Sequence, residues 1–315
     1  MKILFIDTAH PLLWESMIAD GHECVEAYTL SREEIIAHMP TTHGIMIRSR
    51  ITIDKDFLDK SPVLKFIARA GAGMESIDVE YATQKGVACL NSPEGNRNAV
   101  GEHAVGMLLS LFNNLNRADR QIRAGEWVRE KNRGPELEGK TVGIIGYGNM
   151  GSAFGEKLKG FNCKILAYDK YKSNFGNDYI VESTFEEIQN QADVLSLHVP
   201  LTNETTYLVN YNFISSFAKP FYLINTARGK CVSIHDLVTG LKSGKVIGAC
   251  LDVYEYEDTS FEKFSIESGG LLSNPDWKYL ISSDQVILSP HIAGWTVESL
   301  KKIAEVLVSK IRMLD

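Results

Sequence analysis

Residues 141–151, TVGIIGYGNMG, decide the fold. An apolar run, TVGII, meets three glycines, Gly146, Gly148 and Gly151, and a helical stretch follows. Glycines at these places permit the tight turn and close backbone approach that set a pyrophosphate against a helix N-terminus. A GxGxxG match alone also fits a ligand-free turn; its place after an apolar strand and before a helix points to a dinucleotide. Asp169 closes the next apolar run, CKILAYD, 23 residues after the first glycine. A carboxylate there can accept hydrogen bonds from adenosine ribose hydroxyls and would repel a 2′-phosphate, so NAD is expected over NADP. Lys170, immediately afterwards, weakens that preference slightly.

Outward from this turn the text has an α/β rhythm. TVGIIG, CKILAYD, ADVLSLHV, YLINTA, VIGACLDV and QVILSP are six candidate strands, the number in a complete dinucleotide-binding sheet. Before them, KILFID, GIMIRS, VLKFIARA and GVACLN each look like a buried strand of a parallel sheet. Between the two sets, GEHAVGMLLSLFNNLNRA from Gly101 repeats Val105, Leu108, Leu109 and Phe112 at helical spacing. The polar RQIRAGEWVREKNRGPELEGK reads as a loop or covering segment, and residues 257 to 284 as a surface excursion with at most short helices. Val297, Leu300, Ile303, Ala304, Leu307, Val308 and Ile311 mark one face of a terminal helix, whose covered partner periodicity does not identify.

The 315 residues suffice for about two domains. With 44% hydrophobic and 23% charged residues and a mean hydropathy of −0.11, neither disorder nor a fibrous repeat fits. The net charge of −7 argues against a nucleic-acid surface. Cys24, Cys89, Cys163, Cys231 and Cys250 lie far apart, with neither a disulfide framework nor metal-ligand spacing, and read as reduced residues of a cytoplasmic protein. MKILFIDTAHP enters a strand at once, so no leader is expected, and no apolar window is long enough to span a membrane.

A nicotinamide needs a substrate, an acid or base, and a positive group that polarises the substrate. Three strand ends offer such groups: Arg228 in LINTARG, Glu257 after DVYEY, and His291 in ILSPHIAG. Singly, each has a structural alternative: a solvated arginine, one acid among several, a satisfied helix-start histidine. The Arg69-Ala70-Gly71-Ala72-Gly73 loop could present backbone N–H groups to a carboxylate or be only a tight turn. Arg48 could face a site or be solvated.

RAGAGMESID, NSPEGNRNAVGEHAVG, GYGNMG, LHVPLTNETTYLVN, LINTARGKCV, LDVYEYE and LSPHIAGWT together resemble the D-isomer-specific 2-hydroxyacid dehydrogenases over essentially the whole chain. The resemblance implies an α/β fold of two three-layer Rossmann-like domains with parallel sheets and a cleft between them. A flavodoxin-like substrate domain would occupy 1–98, completed by 290–315, and an NAD-binding domain would be inserted at 99–289. It implies His291 as general acid/base, Glu257 as the carboxylate that orients it, and Arg228 as the residue that holds the substrate carboxylate and polarises the 2-oxo group. Ala72 and Gly73 would grasp the substrate carboxylate, with Arg48 a further substrate residue. Asp252 would contact the nicotinamide carboxamide and Thr226 and Ala227 would line its ring, against an alternative of capping and close packing. The cofactor site would include Tyr147, Asn149, Met150, His198, Val199, Pro200, Thr205 and Gly294 with the residues above. Relatives dimerise through the linking helix and its following loop, where Trp127 either reaches a neighbouring site or packs locally.

The chemistry is self-consistent. Hydride arriving at a carbonyl carbon leaves negative charge on oxygen, which an imidazolium can protonate and an arginine can stabilise. Two features depart from the commonest family pattern: Asp258 rather than proline follows Glu257, and the excursion before SPHIAG is long, as in members acting on lactate. At this length no added regulatory domain is expected. Expected partners are a small 2-hydroxy or 2-oxo acid and a second copy of the chain, with no nucleic acid, metal or membrane. D-3-phosphoglycerate dehydrogenase is the near alternative, with Arg48 and Arg50 as candidate phosphate ligands. An NAD-sensing binding protein is the more distant one, and it would not need Arg228, Glu257 and His291 together.

Overall fold

Apolar runs closed by polar or small residues form two all-parallel sheets in the computed structural model, which describes residues 1–257 and 273–314. Asp258 and the excursion as far as residue 272 lie outside the described residues. Contacts group the chain into two compact units, 1–97 with 295–314 and 98–257 with 273–294.

In the first unit, β1 (Lys2–Phe5), α1 (Pro11–Ala19), β2 (Glu23–Glu26), α2 (Arg32–His38), β3 (Gly44–Ile47), α3 (Lys55–Asp59), β4 (Phe66–Arg69), α4 (Val79–Gln84) and β5 (Ala88–Leu90) alternate. The sheet order is β2-β1-β3-β4-β5, the flavodoxin-like winding. Successive strand residues point to opposite faces, so each strand feeds two cores. Leu4, Ile6, Ile45, Ile47 and Ile67 pack with Ile35, Phe57 and Leu58 on one side. Ile3, Phe5, Met46, Phe66 and Ala68 pack on the other with Leu13 and Met17 of α1.

Ile303, Ala304, Leu307, Val308 and Ile311 of α12 (Val297–Arg312) complete that second core, so the end of the chain covers the sheet formed by its beginning. Each large apolar side chain so buried contributes roughly 1.5–3 kcal/mol. Val297 departs from the expected face and is 83% exposed. The apolar cluster begins at Ile303, and a residue almost two turns earlier has nothing to pack on.

The second unit holds β6 (Thr141–Ile145), α7 (Asn149–Leu158), β7 (Lys164–Tyr168), β8 (Val181–Glu182), α8 (Phe185–Gln191), β9 (Val194–Leu197), α9 (Tyr211–Ser216), β10 (Phe221–Asn225), α10 (Ile234–Ser243), β11 (Val246–Leu251), α11 (Pro275–Ser282) and β12 (Val286–Leu288). Its sheet runs β12-β11-β10-β9-β6-β7-β8, with the order of strand addition reversing between β6 and β9. Ligands of open α/β sheets bind outside the carboxyl ends of strands at such a reversal. The sheet has seven strands rather than the six expected; β8 is two exposed residues, too short to show an apolar run.

Two helices also extend beyond the sequence reading. α5 (Pro93–Phe112) begins eight residues before Gly101, because its opening turns are polar. Ala104, Met107, Leu108, Leu111 and Phe112 are its buried face, with Val105 half-buried beside them. α6 (Leu115–Arg123) includes residues read as loop; none of its side chains is buried, so no apolar stripe announces it.

Candidate active site

The glycine turn is built as its residue types require. Gly146 has φ +90°, and a Cβ there would stand 2.5 Å from the His198 carbonyl oxygen, so the turn after β6 lies against the end of β9. Its N–H donates to the Tyr168 carbonyl (2.8 Å). Gly148 is the N-cap of α7, which no side chain caps, and open space lies where its Cβ would be. First-turn amides that no side chain caps, beside an open glycine, fit a pyrophosphate. Asn149 and Met150 form that first turn, half-buried, and Gly151 is buried behind them.

Asp169 Oδ2 accepts the Tyr147 N–H (2.8 Å), and Oδ1 accepts those of Tyr171 (2.9 Å) and Lys172 (3.1 Å). The carboxylate therefore ties the end of β7 to the glycine turn, and its remaining lone pairs are the ones a ribose hydroxyl could use. Lys170 pairs with Glu204 at the surface, while Lys172 Nζ donates to the Tyr147 carbonyl (3.0 Å).

At the end of β9, His198 Nε2 lies 2.8 Å from the Ser196 hydroxyl, whereas its buried Nδ1 finds no partner among the described residues. Burial pushes this imidazole down to about 3, keeping it neutral. Val199 is half-buried and Pro200 exposed; Thr205 Oγ1 donates to the Pro200 carbonyl (2.6 Å) and accepts the Thr202 N–H (2.8 Å), stapling the loop.

Beyond β10, the fully buried Asn225 accepts the Ala227 N–H (3.1 Å) and donates to the Arg228 carbonyl (3.0 Å), fixing the turn that carries Arg228. Arg228 Nη1 also donates to the Ala227 carbonyl (2.7 Å). The buried Thr226 Oγ1 has no partner among the described residues, a polar atom left for a ligand. A Cβ on Gly229 would stand 1.9 Å from the Tyr254 carbonyl oxygen, so only glycine lets the arginine turn rest on the segment leading to Glu257.

His291 Nδ1 and Glu257 Oε2 are 2.7 Å apart, and the other Glu257 oxygen accepts the Tyr254 N–H. His291 has φ +54°, rare for a residue with a side chain. Asp252, 1% exposed, supports this turn. Its carbonyl accepts the His291 N–H (2.8 Å), Oδ1 accepts the Ile292 N–H (2.9 Å) and the Ser289 hydroxyl (2.6 Å), and Oδ2 accepts the Ala293 N–H (2.8 Å). Much of its acceptor capacity thus goes to the loop carrying His291, and Gly294 ends that loop half-buried.

The second unit therefore contains Arg228, Glu257, His291 and all the candidate cofactor residues. Arg48, Ala72 and Gly73 belong to the first. There the Ala72 carbonyl accepts from Asn91 Nδ2 (2.8 Å), and Arg48 presents its guanidinium to the Trp295 ring, 5.0 Å from the centroid. Arg50 does not pair with Arg48 as a phosphate ligand. Its guanidinium donates to the carbonyls of Ile6, Ala27 and Leu30 and faces Asp7, because it turns into the sheet end. Arg69 is the nearer companion, its Nε donating to the Arg48 carbonyl (3.2 Å). Sequence reasoning also passed over Asn225, Ser289 and Tyr254, whose hydroxyl donates to the Ser289 carbonyl (2.8 Å). Their visible signal was a polar residue closing or following an apolar strand.

Among the described residues no helix is long and apolar enough to cross a membrane. Residues 105–293 match the family model described as D-isomer specific 2-hydroxyacid dehydrogenase, NAD binding domain. The chain is 33% identical over 313 residues to the D-3-phosphoglycerate dehydrogenase of Archaeoglobus fulgidus, covering 99% of this chain and 56% of that protein. It thus spans little more than half the length of that relative. It is 33% identical over 285 residues to the hydroxypyruvate reductase of Thermotoga maritima, covering 90% of this chain and 88% of that one. The crystal structure of a D-lactate dehydrogenase from Aquifex aeolicus, complexed with NAD and lactic acid, superposes with a TM-score of 0.82 at 29% identity, covering 99% and 94% of the two chains. With its paired imidazole and carboxylate, its glycine turn and these likenesses, the chain belongs to the D-isomer-specific 2-hydroxyacid dehydrogenase family.

Proposed function

We propose that the protein is an NAD-dependent D-2-hydroxyacid dehydrogenase that interconverts a small 2-oxo acid and its D-2-hydroxy acid. The observation that carries this reading is the 2.7 Å His291–Glu257 pair on a turn held by Asp252, in the unit that also carries the glycine turn. When bound, the nicotinamide supplies or accepts the hydride. Arg228 holds the substrate carboxylate and polarises the 2-oxo group, stabilising the charge that gathers on oxygen. His291 gives its proton to that oxygen during reduction and takes it back during oxidation, and Glu257 fixes the ring through Nδ1 so that Nε2 does the transfer. Gly146, Gly148, Gly151 and the start of α7 hold the pyrophosphate, Asp169 the adenosine ribose, and Thr226 and Ala227 line the nicotinamide. Ala72, Gly73 and Arg48 contribute to substrate binding.

A second reading, D-3-phosphoglycerate dehydrogenase specifically, is favoured by one observation: the Arg48 and Arg69 side chains emerge from neighbouring strand ends of the first unit. Two guanidiniums suit a substrate with a second anionic group. The exposed Leu115, Ile122 and Trp127 on and after α6 support a homodimer through that surface, and reduced cysteines suit a cytoplasmic location.

The test is NADH and NADPH oxidation with pyruvate, glyoxylate, hydroxypyruvate, 2-oxoglutarate and 3-phosphohydroxypyruvate. Turnover with NADH above NADPH is expected. A dominant rate with 3-phosphohydroxypyruvate selects the second reading, whereas tight NAD binding without turnover on any acid favours an NAD-sensing role.

A further inference from the structure

Asp252 grips the His291 turn, but what orients Asp252 lies further off, on α5. His103, 23% exposed at its side chain, places Nε2 3.0 Å from Ser289 Oγ, and Ser289 Oγ is 2.6 Å from Asp252 Oδ1. The hydrogens along this line can be assigned by counting. An ionised carboxylate only accepts, and a serine hydroxyl has one hydrogen. That hydrogen goes to Asp252 at 2.6 Å rather than to the weaker, more distant Met107 sulfur at 3.8 Å, so the Ser289 oxygen accepts and His103 donates through Nε2–H. The Ser289 main chain is held separately, its carbonyl accepting the Tyr254 hydroxyl (2.8 Å). What His103 adds is the direction of the serine hydroxyl and, through it, the plane of the Asp252 carboxylate.

That plane matters because both carboxylate oxygens are committed to consecutive amides, Ile292 and Ala293, directly after a histidine in the left-handed region. A non-glycine residue there is strained and keeps its conformation only where its surroundings impose it. We propose that His103 is a positioning residue for the reaction, acting through Ser289 and Asp252 to hold the His291 turn in register with Glu257. The inference rests on the acid/base role of His291 proposed above. A histidine that merely filled space on α5 would have no reason to end a donor chain at the catalytic loop.

The test combines kinetics with backbone amide NMR on the full chain. In His103→Leu the expected result is a fall in kcat of about tenfold or more, since misplacement of a reacting group acts on the transition state. KM for the 2-oxo acid should stay within about twofold. The Ile292 and Ala293 amide resonances should move as their bonds to the carboxylate lengthen. His103→Gln, which places a donor N–H at the same atom position, should restore both readouts. Ser289→Ala removes the middle of the chain with little change in volume and should reproduce the leucine result, so the test survives if that variant misfolds. Wild-type kcat with unmoved Ile292 and Ala293 resonances in either variant, or a glutamine variant that behaves like the leucine one, would overturn the proposal. If the wild type turned over no 2-oxo acid, the function would be wrong, and the amide resonances would still decide whether His103 sets the loop.

Discussion

Asp7 and Asp252 have similar local surroundings in the two units and do different work. Each is a buried aspartate just beyond a parallel strand, collecting backbone N–H groups from the loop after a nearby strand. Asp7, after β1, is 5% exposed and accepts the amides of Arg48 (2.6 Å) and, at longer range, Arg50 (3.5 Å). The Arg50 guanidinium answers its charge at 3.4 Å and also gathers three carbonyls, so the arrangement is a closed clamp. Asp252, after β11, accepts two amides and a hydroxyl, and its nearest basic group is the His103 imidazole at 3.6 Å. The same device is used once to bind strand ends together and once to hold a histidine in an unfavourable backbone conformation. The first should therefore be read out in stability and the second in turnover.

Substituting both aspartates by asparagine is the sharpest way to break this comparison. Asp252→Asn should lower kcat by about 100-fold, because an asparagine cannot accept at both oxygens and the His291 turn loses one of its holds. Asp7→Asn should instead cost roughly 2–3 kcal/mol in urea denaturation by leaving Arg50 without its counter-charge, less than for a fully buried pair because Arg50 is partly exposed. Its turnover per folded molecule should change by less than about tenfold. Equal losses of turnover in the two variants would erase the distinction.

A smaller effect is a pH dependence in the second unit. His198, at the end of β9, has its imidazole held at about 3 against an ordinary 6.5, because burial disfavours the charged ring. Below about pH 6.5 the unfolded chain takes up a proton there that the folded chain refuses, so its contribution is complete above that pH and is lost as pH falls towards 3. Between pH 6.5 and 5 the expected loss is about 1–2 kcal/mol, and His198→Gln should flatten that part of the stability profile. An unchanged slope in the variant would show that other groups set it. The smallest effect belongs to Trp127, which is 81% exposed. Trp127→Ala should change unfolding free energy by less than about 0.5 kcal/mol while weakening self-association in sedimentation equilibrium. Unaltered association would remove this residue from the proposed dimer surface.

The comparison also marks what was legible in the sequence. Strand text and the glycine turn were readable because local sterics and burial on both faces of a parallel sheet write them into consecutive residues, the strands as near-continuous apolar runs. β8 and α6 were not, since neither buries an apolar stripe. Arg228, Glu257 and His291 were visible singly as polar ends of apolar runs, but their roles came from resemblance, because 34 residues separate His291 from Glu257. Asp252 was noticed for a cofactor contact, while its grip on the 291–293 amides follows only from φ +54° at His291 and the spacing of β11 and β12. Arg50 was left as a candidate for the same reason: whether an arginine at a strand end turns outward or, as here, onto carbonyls depends on loops distant in sequence.

The most direct test is NADH oxidation by wild type and His291→Ala across the 2-oxo acids, with the handedness of the product determined. The wild type should form the D-hydroxy acid, and the variant should bind NADH normally yet lose about 100-fold or more in turnover. An L-product, or turnover at the wild-type rate without His291, would contradict the assignment of the reaction to this site.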